Sequence, residues 1–116
     1  MRHESAFLQD IVEGCRKIEA IISDTDEASF LRDEILTAAV LHHLVVIGEA
    51  INRLPVHLKE RHSDVPWHLA VALRHRIVHG YFDLDWQIVW DTAITDIVPL
   101  RSKILAVLAS EFPNLA

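Results

Sequence analysis

Apolar residues recur at every third and fourth position along most of this chain, the spacing of one face of an α-helix. Phe7, Leu8, Ile11, Val12, Cys15, Ile18, Ile21 and Ile22 keep it and predict a first helix from about Glu4 to Ile22. Ser23-Asp24-Thr25-Asp26 reads as a loop that closes on helix-capping residues. A second helix is predicted from about Ala28 to Leu54, stopped by Pro55, whose ring and missing N–H cannot continue it. Between Ile35 and Ile51 this helix is apolar around most of its circumference, interrupted chiefly by His42, His43 and Glu49. Such a helix needs cover on more than one side. In so small a domain, that implies the rest of the monomer on one side and a second protomer on the other.

Pro55 to His62 reads as a short helix or turn. Asp64-Val65-Pro66-Trp67 opens a third main helix, with Pro at or near its first position, and Gly80 suits its end. Asp83-Leu84-Asp85 caps a fourth helix from Trp86 to about Phe112, carried by Trp86, Val89, Trp90, Ala93, Ile97, Leu100, Ile104 and Leu108. Pro99 is expected to kink this helix or split it in two. No segment alternates as a strand does. The predicted fold is all-α, an antiparallel bundle of four to five helices.

With 116 residues, the chain is expected to form one domain over 1–116, large enough for a core. The single cysteine, Cys15, excludes an internal disulfide framework and suits a reducing cytoplasm. The N-terminus shows no signal-peptide pattern, and no apolar run approaches the roughly 20 residues that span a bilayer. A cytoplasmic protein with no membrane partner is therefore expected.

The net charge of −6 argues against DNA or broad nucleic-acid adhesion. Its distribution changes the picture. From Arg53 to His79, five bases (Arg53, Lys59, Arg61, Arg74, Arg76) face two acids (Glu60, Asp64), a local charge of +3. Five of the eight histidines lie in the same stretch, and the remaining chain carries −9. A basic segment on an acidic body can hold an anion; it can also be a solvated helix face.

Within that segment, Arg74-His75-Arg76-Ile77-Val78-His79-Gly80-Tyr81 gathers residues that handle phosphate and protons, and includes the sole tyrosine. At roughly 100° per residue, Trp67, Val71 and Val78 flank Arg74 on one side and Ala70, Leu73 and Ile77 on the other. Arg74 thus occupies the middle of the apolar face, where an unpaired charge is costly. Either Glu49 pairs with it or its guanidinium binds phosphate in a crevice. His68, His75 and His79 form a neighbouring stripe. His75 and His79 have a spacing that metals use, but no carboxylate or cysteine completes a ligand set nearby, so neither a metal nor another cofactor is expected. His79 falls in the last turn, where the helix dipole favours imidazolium.

On a straight helix, Arg74 and His79 point roughly 140° apart. A two-fold dimer packed along this helix would bring two arginines and two histidines into one cleft. RNA cleavage by the 2′-hydroxyl needs one group to take its proton, one to protonate the leaving 5′-oxygen and a cation for the phosphorane. Such a cleft could supply all three without a metal.

Ile47-Gly48-Glu49-Ala50, Val65-Pro66-Trp67, Arg74 through Phe82, Asp85-Trp86 and Val89-Trp90-Asp91 together resemble the HepT family of HEPN-domain proteins. The resemblance covers about two thirds of the chain. Arg-x4-His alone is a weak pattern; followed by x-Tyr-Phe and preceded by the Ile-Gly-Glu-Ala and Pro-Trp motifs, it is much more specific. The resemblance implies a dimerising helical bundle and a metal-independent ribonuclease toxin. It also implies a partner, an MntA-like minimal nucleotidyltransferase antitoxin of a type VII-like system, which transfers AMP to the motif tyrosine. Carried over, Arg74 and His79 are the catalytic pair, His75, Arg76 and Glu49 are auxiliary, and Tyr81 is the AMP acceptor. Where the family most often has Asn after the arginine, this chain has His75, which can still form a hydrogen bond. The substrate expected is RNA, either tRNA or mRNA. Two other readings stay open. One is a catalytically weak HEPN module that binds RNA or nucleotide and docks a nucleotidyltransferase; the other is a structural dimer in which Arg74 and Glu49 only pair.

Overall fold

The computed structural model describes residues 3–68 and 80–115, with Tyr81 described by its backbone alone. Six α-helices and two short 3₁₀ turns hold most of the described residues, and none of these residues forms a strand. The all-α expectation holds.

Helix α1 spans Glu4–Ser23 and buries Leu8, Ile11, Val12, Cys15 and Ile18 of the predicted stripe, with Phe7, Ile21 and Ile22 half-buried against the same core. Its N-cap is His3, whose Nδ1 accepts the Ser5 backbone N–H at 3.1 Å. The His3 ring also meets Phe112 edge-on, with centroids 5.1 Å apart, which ties the start of the chain to its end. Asp26 caps α2 (Glu27–Arg32) by accepting the Ser29 N–H at 2.8 Å, as the capping pattern predicts.

The single helix predicted from Ala28 to Leu54 is two. It breaks at Asp33, between α2 and α3 (Glu34–Arg53). Asp33 takes an extended backbone conformation, and its carboxylate captures the N–H groups of Ile35 (2.9 Å) and Leu36 (3.1 Å). This local alternative is why aspartate favours helix starts over helix interiors. The break frees α2 to pack Phe30, fully buried, against Trp90, while α3 packs on α1.

Helices α1 and α3 run antiparallel and touch closely at Gly14. A Cβ there would lie 2.9 Å from Ile47 Cγ1. Eight residues of α3 are buried (Thr37, Val40, Leu41, Leu44, Ile47, Gly48, Ala50 and Ile51), whereas Ile35 is 80% exposed. By length and composition α3 could cross a membrane. The expectation that no stretch reaches that length is therefore corrected, although the buried face of α3 is spent on the core.

Pro55 closes α3 and stands at the N-cap of α4 (Val56–Arg61), which buries Leu58. The predicted fourth helix splits into α5 (Trp86–Thr95) and α6 (Ile97–Glu111). The break falls at Asp96, and Pro99 explains it. A proline ring excludes the carbonyl four residues earlier, here that of Thr95, the last residue of α5. Pro99 itself sits in the first turn of α6, where no N–H is needed. Helix α6 returns antiparallel to α1, and Arg101 grips Glu19 through two hydrogen bonds of 2.7 and 3.1 Å. One continuous core unites all six helices.

Candidate active site

Residues 69–79 carry most of the predicted chemistry, and the structure fixes the chain on both sides of them. On the upstream side, Val65 and Trp67 are buried. The Trp67 indole Nε1 donates to two carbonyls, those of Lys59 (3.1 Å) and His62 (3.0 Å), which folds the segment after α4 back on itself. Pro66 precedes two residues, Trp67 and His68, with helical backbone, in accord with a helix start there.

This entry segment is also stapled to α6. Arg61 forms an ion pair with Glu111, and His62 Nε2 lies 3.6 Å from the same carboxylate. At that separation His62 makes no hydrogen bond, and its buried Nε2 has no other partner among the described residues. The Arg61 guanidinium, helped by His62, holds the Glu111 carboxyl below the usual carboxylate range. The Lys103 ammonium donates to the Asp64 carbonyl at 2.7 Å.

On the downstream side, Gly80 is half-buried and leads into a 3₁₀ turn, Tyr81–Asp83. The Gly80 carbonyl accepts the Asp83 N–H at 3.0 Å and closes the turn. Asp85 then caps α5 by accepting the Gln87 N–H at 3.0 Å. Leu84 and Trp86 pack against the core and anchor the turn from behind.

The predicted residues divide accordingly. Arg74, His75, Arg76 and His79 lie outside the described residues, as does the Tyr81 side chain; the Tyr81 backbone begins the 3₁₀ turn. Glu49 is half-buried on α3, and its predicted pairing with Arg74 also falls outside the described residues. His68 is exposed. One charge of the basic segment is paired in the fold, Arg61 with Glu111, while Lys59 keeps its charge and donates to the Ile51 carbonyl at 3.3 Å. For Arg61, pairing within the fold describes the charge better than anion binding. Among the described residues no three of His, Cys, Asp and Glu gather as a metal-ligand set. An open groove of about 520 Å³ lies at the α2–α3 corner, lined by Ser29, Arg32, Asp33, Glu34 and Ile35, none of them a predicted site residue.

One feature of the region is unmarked by helical spacing. Phe82, in the centre of the 3₁₀ turn, is 99% exposed. The only signal in the sequence is a large apolar residue inside a turn, directly after the motif tyrosine.

Comparison with known proteins agrees with these motifs. A family model described as "Ribonuclease HepT-like" matches residues 11–107. A protein of Thermococcus cleftensis named "Probable ribonuclease HepT" is 32% identical over 102 residues, covering 88% of this chain and 93% of its own length. "Putative RNase TTE0752" of Caldanaerobacter subterraneus subsp. tengcongensis is 30% identical over 111 residues, covering 96% of this chain and 99% of its own length. "Putative RNase MJ0127" of Methanocaldococcus jannaschii is 36% identical over 92 residues, 79% of this chain and 76% of its own. No solved structure gives a significant match.

Proposed function

The chain belongs to the HepT-like ribonuclease family, and on that premise we propose that it is a metal-independent endoribonuclease toxin acting on tRNA or mRNA in the cytoplasm as a homodimer. The observation that carries the reading is the family match over residues 11–107, which takes in the whole Arg74-to-Tyr81 motif together with the anchors on either side of it.

In this reading, two motif segments meet across a two-fold axis and offer two copies each of Arg74 and His79. One imidazole takes the proton of the RNA 2′-hydroxyl as its oxygen attacks phosphorus. The second, protonated, gives its proton to the departing 5′-oxygen. The arginines stabilise the charge that grows on the phosphorane oxygens. The products are a 2′,3′-cyclic phosphate and a 5′-hydroxyl, with every proton accounted for. His75, Arg76 and Glu49 help hold the phosphate and the arginine.

Tyr81 is the off-switch. An MntA-like nucleotidyltransferase antitoxin transfers AMP from ATP to its hydroxyl and releases pyrophosphate. The added phosphate and base place negative charge and bulk beside the motif and compete with RNA for Arg74. The position of Tyr81 at the head of a turn held by Gly80 and Asp83 supports this role, since the turn fixes the backbone next to the motif.

Two measurements test the reading. RNA cut by the purified protein should carry 2′,3′-cyclic phosphate ends, and a single 2′-deoxy nucleotide at the cut position should block cleavage there. Co-expression with the antitoxin should add mass in units of AMP, and Tyr81→Phe should remove it. Tight complex formation with RNA left intact would favour the catalytically weak binding module; AMP retained by Tyr81→Phe would move the acceptor elsewhere.

A further inference from the structure

Helix α6 is apolar on two opposite sides. Ile97, Leu100, Ile104, Val107 and Leu108 are buried in the core. At roughly 100° per residue, Val98, Ser102, Leu105 and Ala109 fall within about 60° of one another on the side away from that core. All four are exposed, Val98 at 49% and Leu105 at 37%, and Ile94, 50% exposed near the end of α5, lies one turn before Val98. No charge interrupts this strip. Between Ile97 and Ser110 the only charged residues are Arg101 and Lys103. Arg101 turns to Glu19 on α1, Lys103 turns to the Asp64 carbonyl, and Glu111 at the helix end pairs with Arg61. Every charge of α6 is thus engaged within the chain, and the outer side is left to apolar and small uncharged groups. A helix that is apolar on opposite sides needs cover on both.

We propose that the cover is a second copy of this chain, with two α6 helices packed antiparallel about a two-fold axis that passes between Arg101 and Ser102. The strip is its own complement in that register. Positions rise by about 1.5 Å per residue along a helix, so residues equally far from the axis stand level across it. Val98 of one copy then meets Leu105 of the other, and Ile94 meets Ala109, large against small. The two Ser102 hydroxyls face each other at the axis, where short side chains let the backbones come close. Charge agrees with a like partner. Two copies of a chain with a net charge of −6 repel each other, and this strip joins them without setting one carboxylate against another. Size sets the strength. The 15 residues of α6 give a strip about 22 Å long and about 10 Å wide. That is well below the roughly 800 Å² that each partner buries in a stable interface. The contact is therefore weak and reversible, and separate from the motif-bearing dimer proposed above. It uses no residue of the proposed nuclease site and stands whether or not the chain cuts RNA.

The test is sedimentation of the full chain from about 10 μM to about 1 mM, the range in which so small a contact associates. The average mass should climb with concentration above its value at the dilute end. Val98→Glu and Leu105→Lys should each weaken this association by about 10-fold or more. Together they should restore it, because each glutamate of one copy then faces a lysine of the other. Both positions are exposed, so each variant should keep the fold, as checked by circular dichroism. Gln9→Glu, which adds the same charge on the exposed side of α1, should associate as the parent does. A mass that stays constant with concentration would overturn the proposal. So would a double variant no better than Val98→Glu alone, since the antiparallel register requires the rescue. If Val98→Glu self-associates as the parent does but loses binding to a nucleotidyltransferase partner, another protein covers the strip and the proposal is overturned.

Discussion

The indole N–H of Trp67 reaches the His62 carbonyl at 3.0 Å and shares itself with the Lys59 carbonyl at 3.1 Å. One side chain therefore fixes the turn from which the chain enters the 69–79 stretch. Trp67→Phe keeps the ring and removes the donor, leaving both carbonyls without it. The expected cost is about 1–3 kcal/mol of folding stability. It would be read as a lower urea midpoint, together with reduced cleavage from a less well-placed motif.

The break between α2 and α3 depends on the Asp33 carboxylate, which holds the N–H groups of Ile35 and Leu36. Asp33→Ala should cost about 0.5–2 kcal/mol in chemical denaturation. Asp33→Asn, which keeps an acceptor oxygen, should recover most of it.

At Gly14, helices α1 and α3 are as close as a glycine allows. Alanine improves helix propensity by about 1 kcal/mol, but a methyl 2.9 Å from Ile47 Cγ1 overpacks a stiff β-branched side chain at a cost of about 1–3 kcal/mol. Gly14→Ala should therefore destabilise on balance. In a chain that already carries Ile47→Ala, the same change should be nearly neutral or stabilising. Equal effects in both backgrounds, by thermal or urea unfolding, would contradict the close contact.

Much of this fold is legible in the sequence because the core is built from helical stripes. Leu8 to Ile18 and Trp90 to Leu108 are buried where the spacing places them. The two helix breaks are less legible, for different reasons. Apolar spacing runs on through Asp33, so only the capture of two N–H groups by its side chain reveals the first break. Pro99 announces the second but acts four residues back, on Thr95, so the break precedes the proline that causes it. Arg61 shows the limit for charge: composition counts it into a basic segment, whereas Glu111, 50 residues away in sequence, absorbs it. At the proposed site, Arg74, His79 and Tyr81 are recognisable by type and spacing, whereas the exposure of the neighbouring Phe82 is set by a turn and has no periodicity to mark it.

Acid should destabilise the protein in two stages. Burial, reinforced by His42 and Lys17 and opposed by Glu13, holds the half-buried His43 imidazole below its ordinary value of 6.5. Just below pH 6.5 the unfolded chain then binds more protons than the native one. Stability is complete above that pH and declines as the pH falls through the native value. Glu111, held below its ordinary 4.5 chiefly by Arg61, adds a second loss as the pH falls below 4.5. Urea midpoints from neutral pH down to about pH 2 should show both stages. His43→Gln should flatten the upper stage and leave the lower one, and Arg61→Gln should do the reverse.

The most direct test of the central claim is cleavage of an end-labelled RNA by the purified protein in excess EDTA, comparing the parent chain with Arg74→Ala and His79→Ala. The account predicts that the parent cuts with EDTA present, that His79→Ala is slower by about 10²- to 10⁴-fold, and that Arg74→Ala is slower by about 10²- to 10³-fold. Cleavage abolished by EDTA, or retained at the parent rate by His79→Ala, would contradict it.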